Sequence, residues 1–199
     1  MPDLPSVSVP SVASQSPIGP AGHLYLVGLP GAGKTTLGRQ LAAYYGREFV
    51  DLDAVIVAEA GCGIAEIFAT ESEAGFRRRE AAALATVAAQ TQPLVVATGG
   101  GTPCFGDNLA RLLATGFVLW LAVPVPELAR RLAAAGQATA RPLLAATAAA
   151  TVSPEAALAA HLTRTLQARE RFYAQAHLRH AGSALADALA ALAAAGFRP

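Results

Sequence analysis

The chain has 199 residues, a length typical of one domain with its own hydrophobic core. Its net charge is +1 and no block of basic residues stands out, which argues against nucleic acid or a membrane surface as a partner. The sequence has no run of about 18 consecutive apolar residues, so it predicts no membrane-spanning helix. Cys62 and Cys104 lie outside any metal-binding spacing, and we expect both to be reduced thiols of a cytoplasmic protein.

The first 22 residues are rich in proline, serine and valine. They lack the basic region and the continuous apolar region of a signal peptide. We expect them to form a disordered tail, followed by one domain over residues 23–199.

From residue 23 onward, short apolar strands alternate with helices. Strands are predicted at Leu24–Val27, Glu48–Asp51, Leu94–Ala97, Phe117–Leu121 and, more weakly, near Leu178. Helices are predicted at Lys34–Tyr45, Ala54–Ala60, Ala65–Thr70, Glu73–Gln90, Asp107–Ala114, Pro126–Ala135, Pro154–Ala176 and Ala184–Ala195. This alternation predicts an α/β fold with a five-stranded parallel sheet flanked by helices. Residues 136–153, which include an alanine-rich stretch at 145–150, are predicted to be irregular or partly helical, as in a lid.

A glycine-rich stretch, GLPGAGKTT, joins the first strand to the first helix. Gly28, Gly33, Lys34 and Thr35 fit the phosphate-loop pattern G-x-x-x-x-G-K-[ST]. Such a loop turns its N–H groups onto phosphate oxygens, and the helix that begins near Lys34 adds its positive end. Lys34 is expected to reach the β- and γ-phosphates, and Thr35 to place its hydroxyl on Mg²⁺. The loop predicts binding of a nucleoside triphosphate; the alternative is a glycine-rich turn without a ligand.

Two carboxylates, Asp51 and Asp53, come at the carboxyl end of the second strand, the edge where ligands of such sheets bind. On an extended chain, residues two apart point to the same side. One carboxylate could then hold Mg²⁺ through water while the other accepts a proton or hydrogen bond from a hydroxyl substrate. The alternative is that the two residues form an N-cap pair for the next helix, since Asp53 is well placed for capping.

Basic residues recur on two of the predicted helices. Arg77 and Glu80 share a helix face, so the carboxylate can orient the guanidinium to grip a substrate carboxylate. Arg169 lies on the late helix, four residues before Tyr173. For both helices the alternative is a solvated basic face.

Two further stretches carry candidate ligand contacts. Gly99, Gly100 and Gly101 follow the third strand and expose backbone N–H groups to a ligand, whereas a plain turn would need fewer glycines. Arg141 begins an RPLL sequence after a glycine-containing loop, and an arginine on such a segment can close over transferring phosphates.

In this order, these features resemble the shikimate kinase family, small P-loop kinases of the nucleoside-monophosphate-kinase type. The resemblance spans roughly residues 24–195. It rests on GLPGAGKTT, the DLD at Asp51–Asp53, the stretch from Ile67 and Phe68 through Glu73, then Phe76, Arg77, Glu80, the glycine triplet, RPLL at Arg141, and Arg169 with Tyr173.

The resemblance implies a P-loop fold with a lid and a substrate-binding helical region. It implies a kinase that uses ATP and Mg²⁺ to phosphorylate the 3-hydroxyl of shikimate. Separately, we expect the protein to be a monomer. The implied catalytic residues are Lys34, Asp53 and Arg141, with Asp53 as the base or orienting group for the attacking oxygen. The implied nucleotide contacts are Gly31, Ala32, Gly33, Lys34, Thr35, Thr36 and Arg141. The implied substrate contacts are Asp53, Arg77, Gly99, Gly100, Gly101 and Arg169, with Glu80 orienting Arg77. The implied Mg²⁺ contacts are Thr35 and, through water, Asp51.

The sequence departs from the family pattern in three places. Where the family carries an arginine that stacks on adenine, this chain has alanines at 133–135, and Arg131 lies about one helical turn earlier. The basic residue near adenine after the last strand is absent from residues 183–187. The family's Gly-Glu appears as Ser72-Glu73. We expect adenine to be held more weakly, or by other groups.

Two other functions fit parts of the pattern. A ligand-sensing domain on the same scaffold would be expected to lose Asp53, Arg77 or Arg169, and this chain keeps all three. A kinase for another hydroxylated acid, such as gluconate, would also need arginines for a carboxylate.

Overall fold

The computed structural model describes residues 22–134 and 153–199. Arg141, the alanine-rich stretch at 145–150 and the predicted tail up to residue 21 lie outside the described residues. Gly22, at the end of that predicted tail, accepts a hydrogen bond on its carbonyl from Arg47 Nη1 at 2.9 Å.

The centre of the fold is a five-stranded sheet in the order β2-β3-β1-β4-β5, with every neighbouring pair parallel. The strands are β1 (His23–Val27), β2 (Glu48–Asp51), β3 (Leu94–Ala97), β4 (Gly116–Leu121) and β5 (Leu178–His180). β1, β3 and β4 are buried along their whole length, and β2 and β5 form the two edges. This confirms the predicted five-stranded parallel sheet. The prediction was possible because continuous apolar runs are typical of strands covered on both faces.

Seven helices surround the sheet in the described ranges. They are α1 (Lys34–Tyr45), α2 (Leu52–Ala60), α3 (Ile64–Ala88), α4 (Asn108–Thr115), α5 (Val125–Ala134), α6 (Pro154–Tyr173) and α7 (Leu185–Ala194). A single 3₁₀ turn, Thr102–Cys104, follows the glycine triplet. Local signals set the predicted ends where they are strong: Gly46 closes α1 in the left-handed conformation, and Ser153 caps α6 by accepting from the Ala156 N–H.

The helix after β2 begins earlier than predicted, at Leu52 rather than Ala54. Asp51 is its N-cap, because its side chain accepts from the Asp53 N–H at 3.2 Å, and Asp53 lies in the first helical turn. The expectation that both carboxylates extend from a strand is therefore wrong. Of the pair expected by the capping alternative, Asp51 is the cap and Asp53 is not. The fully buried Leu52 side chain holds this turn against the core.

The two helices predicted on either side of residue 72 run on as α3, with one break. Ser72 has φ 64° and ψ 177°, a conformation outside the helical region and rare for a residue with a Cβ. The break separates the first turns of α3 from the part that carries Arg77 and Glu80.

None of the helices in residues 22–134 and 153–199 combines the length and the apolar character that crossing a membrane requires.

Candidate active site

The phosphate loop lies between β1 and α1 at the carboxyl edge of the sheet, as predicted. Lys34 Nζ donates to the carbonyl oxygens of Gly28 and Leu29 at 2.9 and 3.1 Å, which holds the ammonium group across the loop. A cleft of about 590 Å³ opens above it. Of the predicted nucleotide contacts, those lining this cleft are Gly31, Gly33, Lys34, Thr35 and Thr36. The loop thus presents a cation, hydroxyls and a helix N-terminus to one concave space, which suits an anionic ligand.

The oxygen atoms predicted to serve a metal ion meet at the floor of the cleft. Thr35 Oγ1 donates to Asp51 Oδ2 at 2.9 Å, and both residues line the cleft. Hydroxyl and carboxylate oxygens are the ligands that Mg²⁺ prefers, and this ion keeps several waters. In the described ranges no cluster of three or more acidic, histidine or cysteine side chains is placed to hold a metal. Thr35 and Asp51 fit an ion whose other ligands are water and phosphate.

A second cavity, of about 450 Å³, adjoins the cleft. Asp53, Ile64, Gly99 and Gly100 line both. The second cavity adds the apolar rings of Phe68 and Phe76 and the charged residues Glu73, Arg77, Glu80 and Arg169. All six predicted substrate contacts line it: Asp53, Arg77, Gly99, Gly100, Gly101 and Arg169.

Arg77 is held from several sides. Its Nη1 donates to Glu80 Oε2 at 2.9 Å, and its Nη2 to Glu73 Oε1 at 3.1 Å. Its guanidinium carbon lies 3.9 Å from the centre of the Phe105 ring, a cation–π contact. Glu80 is only 1 % exposed and also accepts from Thr102 Oγ1 at 2.6 Å, so the carboxylate cannot swing away. The geometry agrees with the predicted orientation of Arg77 by Glu80.

The glycine triplet lets four functional side chains approach the backbone. A Cβ at Gly101 would lie 2.8 Å from Arg77 Nη1, and one at Gly100 would lie 3.3 Å from Arg169 Nη1. At Gly99 it would lie 2.8 Å from Glu80 Oε1 and 3.2 Å from Asp53 Oδ1. Each glycine therefore makes room for a different group of the site, which explains why three follow one another.

Tyr173 fixes the middle of the triplet from α6. It is fully buried, and its hydroxyl donates to the Gly100 carbonyl oxygen. Burial raises the pKa of Tyr173 to about 12, although the neighbouring Arg169 charge acts in the other direction. The phenol therefore stays protonated at neutral pH and remains a hydrogen-bond donor.

Comparison with known proteins agrees with this geometry. The family model for shikimate kinase matches residues 30–193. The chain belongs to the shikimate kinase family. A shikimate kinase of Parasynechococcus marenigrum (strain WH8102) is 47 % identical over 155 residues, which cover 78 % of this chain and 74 % of that protein. Shikimate kinase from Acinetobacter baumannii in complex with shikimate superposes with a TM-score of 0.71 at 37 % identity, covering 85 % of this chain and 89 % of that one.

As a shikimate kinase, the chain is an ATP-dependent small-molecule kinase, and the ligand-sensing alternative is not favoured. A gluconokinase from Sinorhizobium meliloti 1021 also superposes, with a TM-score of 0.53 over 88 % of this chain and 93 % of that one. Its sequence identity is only 18 %, so this likeness shows the fold alone.

Some predicted residues of this shikimate kinase lie elsewhere than in the cavities. Ala32 is fully buried, lines neither cavity, and donates its N–H to the Leu29 carbonyl oxygen at 3.3 Å. Arg141 lies outside the described residues, so its predicted place at the ATP phosphates stays a prediction.

Arg131, His161 and Thr165 are among the residues that line the shikimate kinase site but were not predicted from the sequence. Arg131 lines the cleft, and its guanidinium donates to Glu127 Oε1 at 2.7 Å and to Ser183 Oγ at 3.2 Å. His161 and Thr165 line the second cavity beside Arg169. Spacing was the available signal: Glu127 and Arg131 are four residues apart, as are His161, Thr165 and Arg169, so each set shares a helix face.

Proposed function

We propose that this chain transfers the γ-phosphoryl group of ATP to the 3-hydroxyl of shikimate, giving ADP and shikimate 3-phosphate. The observation that carries this proposal is the wall shared by the two cavities. Asp53, Gly99 and Gly100 face both the cleft above the phosphate loop and the cavity that contains the arginines. A donor phosphate and an acceptor hydroxyl bound on either side of this wall would meet beside a carboxylate.

On the nucleotide side, we assign the phosphates to Lys34 and to the backbone of the phosphate loop. The Lys34 ammonium, held by two carbonyl oxygens, neutralises the charge that develops on the transferred group. Thr35 and Asp51 would hold Mg²⁺, which supplies charge neutralisation at the phosphate oxygens when bound. Arg131 and Ser183 lie beside Gly33, and we assign them to the nucleoside in place of the two basic residues absent from the sequence.

On the acceptor side, Arg77 and Arg169 come from different helices to one cavity. A planar guanidinium matches a carboxylate, so the pair is suited to the carboxylate of shikimate. Phe68 and Phe76, whose rings stack 4.7 Å apart, form an apolar wall for a carbon ring. Asp53 accepts the hydrogen bond, and then the proton, of the attacking hydroxyl.

The remaining assignments concern the whole chain. We propose that residues 23–199 form the kinase domain, that Arg141 is the lid arginine, and that the protein acts as a cytoplasmic monomer with no nucleic acid or membrane partner. Both cysteines are free thiols, which fits a reducing compartment.

The test is ADP release from Mg²⁺-ATP by the purified protein, with shikimate and, separately, with gluconate. We expect release that depends on shikimate, and a loss of about 10²-fold or more in kcat for Asp53→Asn, because a positioned proton acceptor contributes that much. Asp107→Asn, at the N-terminus of α4, is the matched control and should retain wild-type turnover. Turnover with gluconate but not shikimate would overturn the proposal.

A further inference from the structure

A third cavity, of about 240 Å³, shares no lining residue with the two cavities described above. It is formed by the phosphate-loop residue Leu29, the end of β4, the start of α5, two residues of α6 and one of β5. Eight of its lining residues are apolar: Leu29, Trp120, Leu121, Ala122, Val123, Pro124, Val125 and Leu166. Nothing in the proposed reaction uses this cavity.

Two charged residues of opposite sign also line the cavity, Glu170 on α6 and Arg179 on β5. In the parts of the chain that the structure describes, neither side chain forms an ion pair, with each other or with another residue. The Arg179 guanidinium carbon lies 4.8 Å from the centre of the Trp120 ring. This stacking places the guanidinium against the aromatic wall while its N–H groups keep their hydrogen-bonding capacity.

We propose that this cavity binds a free α-amino acid with an apolar side chain. The ammonium group would face Glu170, the carboxylate would face Arg179, and the side chain would lie against Trp120 and the aliphatic residues. A ligand with a single charge would meet one like charge at the cavity, whereas a zwitterion complements both. The volume is smaller than that of a typical drug-sized site, which suits a ligand of amino-acid size.

The walls of this cavity contact the groups that hold both substrates. Trp120 packs against Tyr173, with 5.7 Å between the ring centres. The Tyr173 hydroxyl in turn donates to the Gly100 carbonyl oxygen. Leu29, another wall residue, accepts from Lys34 Nζ on its carbonyl oxygen. An occupant that binds one arrangement of these walls more tightly than another shifts the walls toward the arrangement it prefers. Such a shift will change the apparent affinity for ATP or shikimate.

The sole tryptophan of the chain, Trp120, lies in the wall and reports on occupancy directly. The full-length protein is titrated with L-leucine while Trp120 fluorescence is recorded. We expect a saturable change with a Kd on the order of 1 mM. Two analogues test the role of each charge: 4-methylpentanoic acid lacks the ammonium group and 3-methylbutylamine lacks the carboxylate. Each should bind about tenfold more weakly or worse.

Variants distinguish binding in this cavity from binding in the second cavity, where Arg77 and Arg169 also attract carboxylates. Glu170→Gln and Arg179→Gln should each weaken L-leucine binding about tenfold. Arg171→Gln, on an exposed residue of the same helix outside the cavity, should leave it unchanged. Saturating shikimate should change the Kd for L-leucine by a limited factor, as coupling requires, and L-leucine should still bind.

Mutually exclusive binding, in which the apparent Kd for L-leucine rises without limit as shikimate is added, would overturn the proposal, because it would place L-leucine on Arg77 and Arg169. Equal binding by the variants and the wild type would overturn it as well. A silent fluorescence signal is checked by titration calorimetry under the same conditions, and absence of heat there would have the same meaning. These readouts measure binding, so they do not depend on the kinase activity.

Discussion

The second cavity, proposed for the acceptor, contains residues that are held by partners far away in the chain. Sequence spacing was enough to select Lys34, which lines the cleft, and Asp53, Arg77 and the triplet, which line the second cavity, because each belongs to a short motif with a chemical reason. It was not enough to find Thr102, which donates to Glu80 at 2.6 Å, because that contact joins two elements that only the fold brings together. Local pattern predicts which groups bind, and tertiary contact decides which groups hold them.

The triplet makes a prediction at this scale. In Gly101→Ala, the new Cβ would lie 2.8, 2.9 and 3.1 Å from the three terminal atoms of the Arg77 guanidinium. The guanidinium must move, so the KM for shikimate should rise about tenfold, as expected for losing one charged hydrogen bond, while the KM for ATP changes little. Steady-state kinetics with each substrate varied in turn will measure this.

Gly63→Ala is the matched control for Gly101→Ala. A Cβ at Gly63 would meet no atom within 4 Å, and φ there is −72°, which any residue adopts. Its kinetic constants should match the wild type. An unchanged KM for shikimate in Gly101→Ala would show that Arg77 does not bind the acceptor in the place assigned to it.

At the scale of elements, the helix boundaries show what local signals predict. α1 begins at Lys34 and ends before Gly46, as predicted, because both ends carry glycine signals. α6 ends at Tyr173 rather than Ala176, where the sequence offers no glycine or proline. The contact that anchors this end is the Tyr173 hydrogen bond to Gly100, on a distant segment, so no local pattern could predict it.

The break in α3 is strained at Ser72, which stands where the family pattern has a glycine. With φ at 64° and ψ at 177°, a side chain at this position costs of order 1–3 kcal/mol. An ion pair spans the break, with Arg79 Nη2 2.6 Å from Glu71 Oε1. That pair is partly exposed and contributes little by itself, so most of the strain remains.

Ser72→Gly should therefore raise the free energy of unfolding by roughly 1 kcal/mol, since relief of the strain outweighs the added entropy of the unfolded chain. Urea denaturation at pH 7.5 will measure the change. Ser72→Ala keeps a Cβ and should show no such gain. Equal stability of the glycine and alanine variants would mean that the backbone at residue 72 is not strained.

At the scale of the whole molecule, the sequence predicted the number and direction of the strands but not their order. The order β2-β3-β1-β4-β5 follows from which apolar faces pack together across the chain, and no local pattern encodes it. Two histidines support this arrangement as neutral hydrogen-bond acceptors. His23 Nδ1 accepts from the Leu94 N–H at 3.2 Å, and His177 Nδ1 accepts from the Val118 N–H at 2.9 Å.

These histidines predict how stability depends on pH. Burial lowers the pKa of both His23 and His177 from the usual 6.5. Below that value the unfolded chain binds more protons than the folded one, so the free energy of unfolding should be steady above about pH 6.5 and fall as the pH drops further. Urea denaturation between pH 5 and 8 will show this slope.

The double variant His23→Asn with His177→Asn keeps an oxygen acceptor near each Nδ1 position but cannot titrate. Its stability should depend less on pH over the same range. A slope as steep as that of the wild type would assign the acid sensitivity to other groups.

The wall shared by the two cavities also bears on inhibition. Since Asp53, Gly99 and Gly100 face both the ATP cleft and the acceptor cavity, no backbone segment needs to be crossed between them. A bisubstrate inhibitor, with a nucleotide joined to a carboxylated ring by a spacer of phosphoryl size, can occupy both at once. Linking the two halves makes the second binding event intramolecular, so such a compound would gain affinity beyond that of either half.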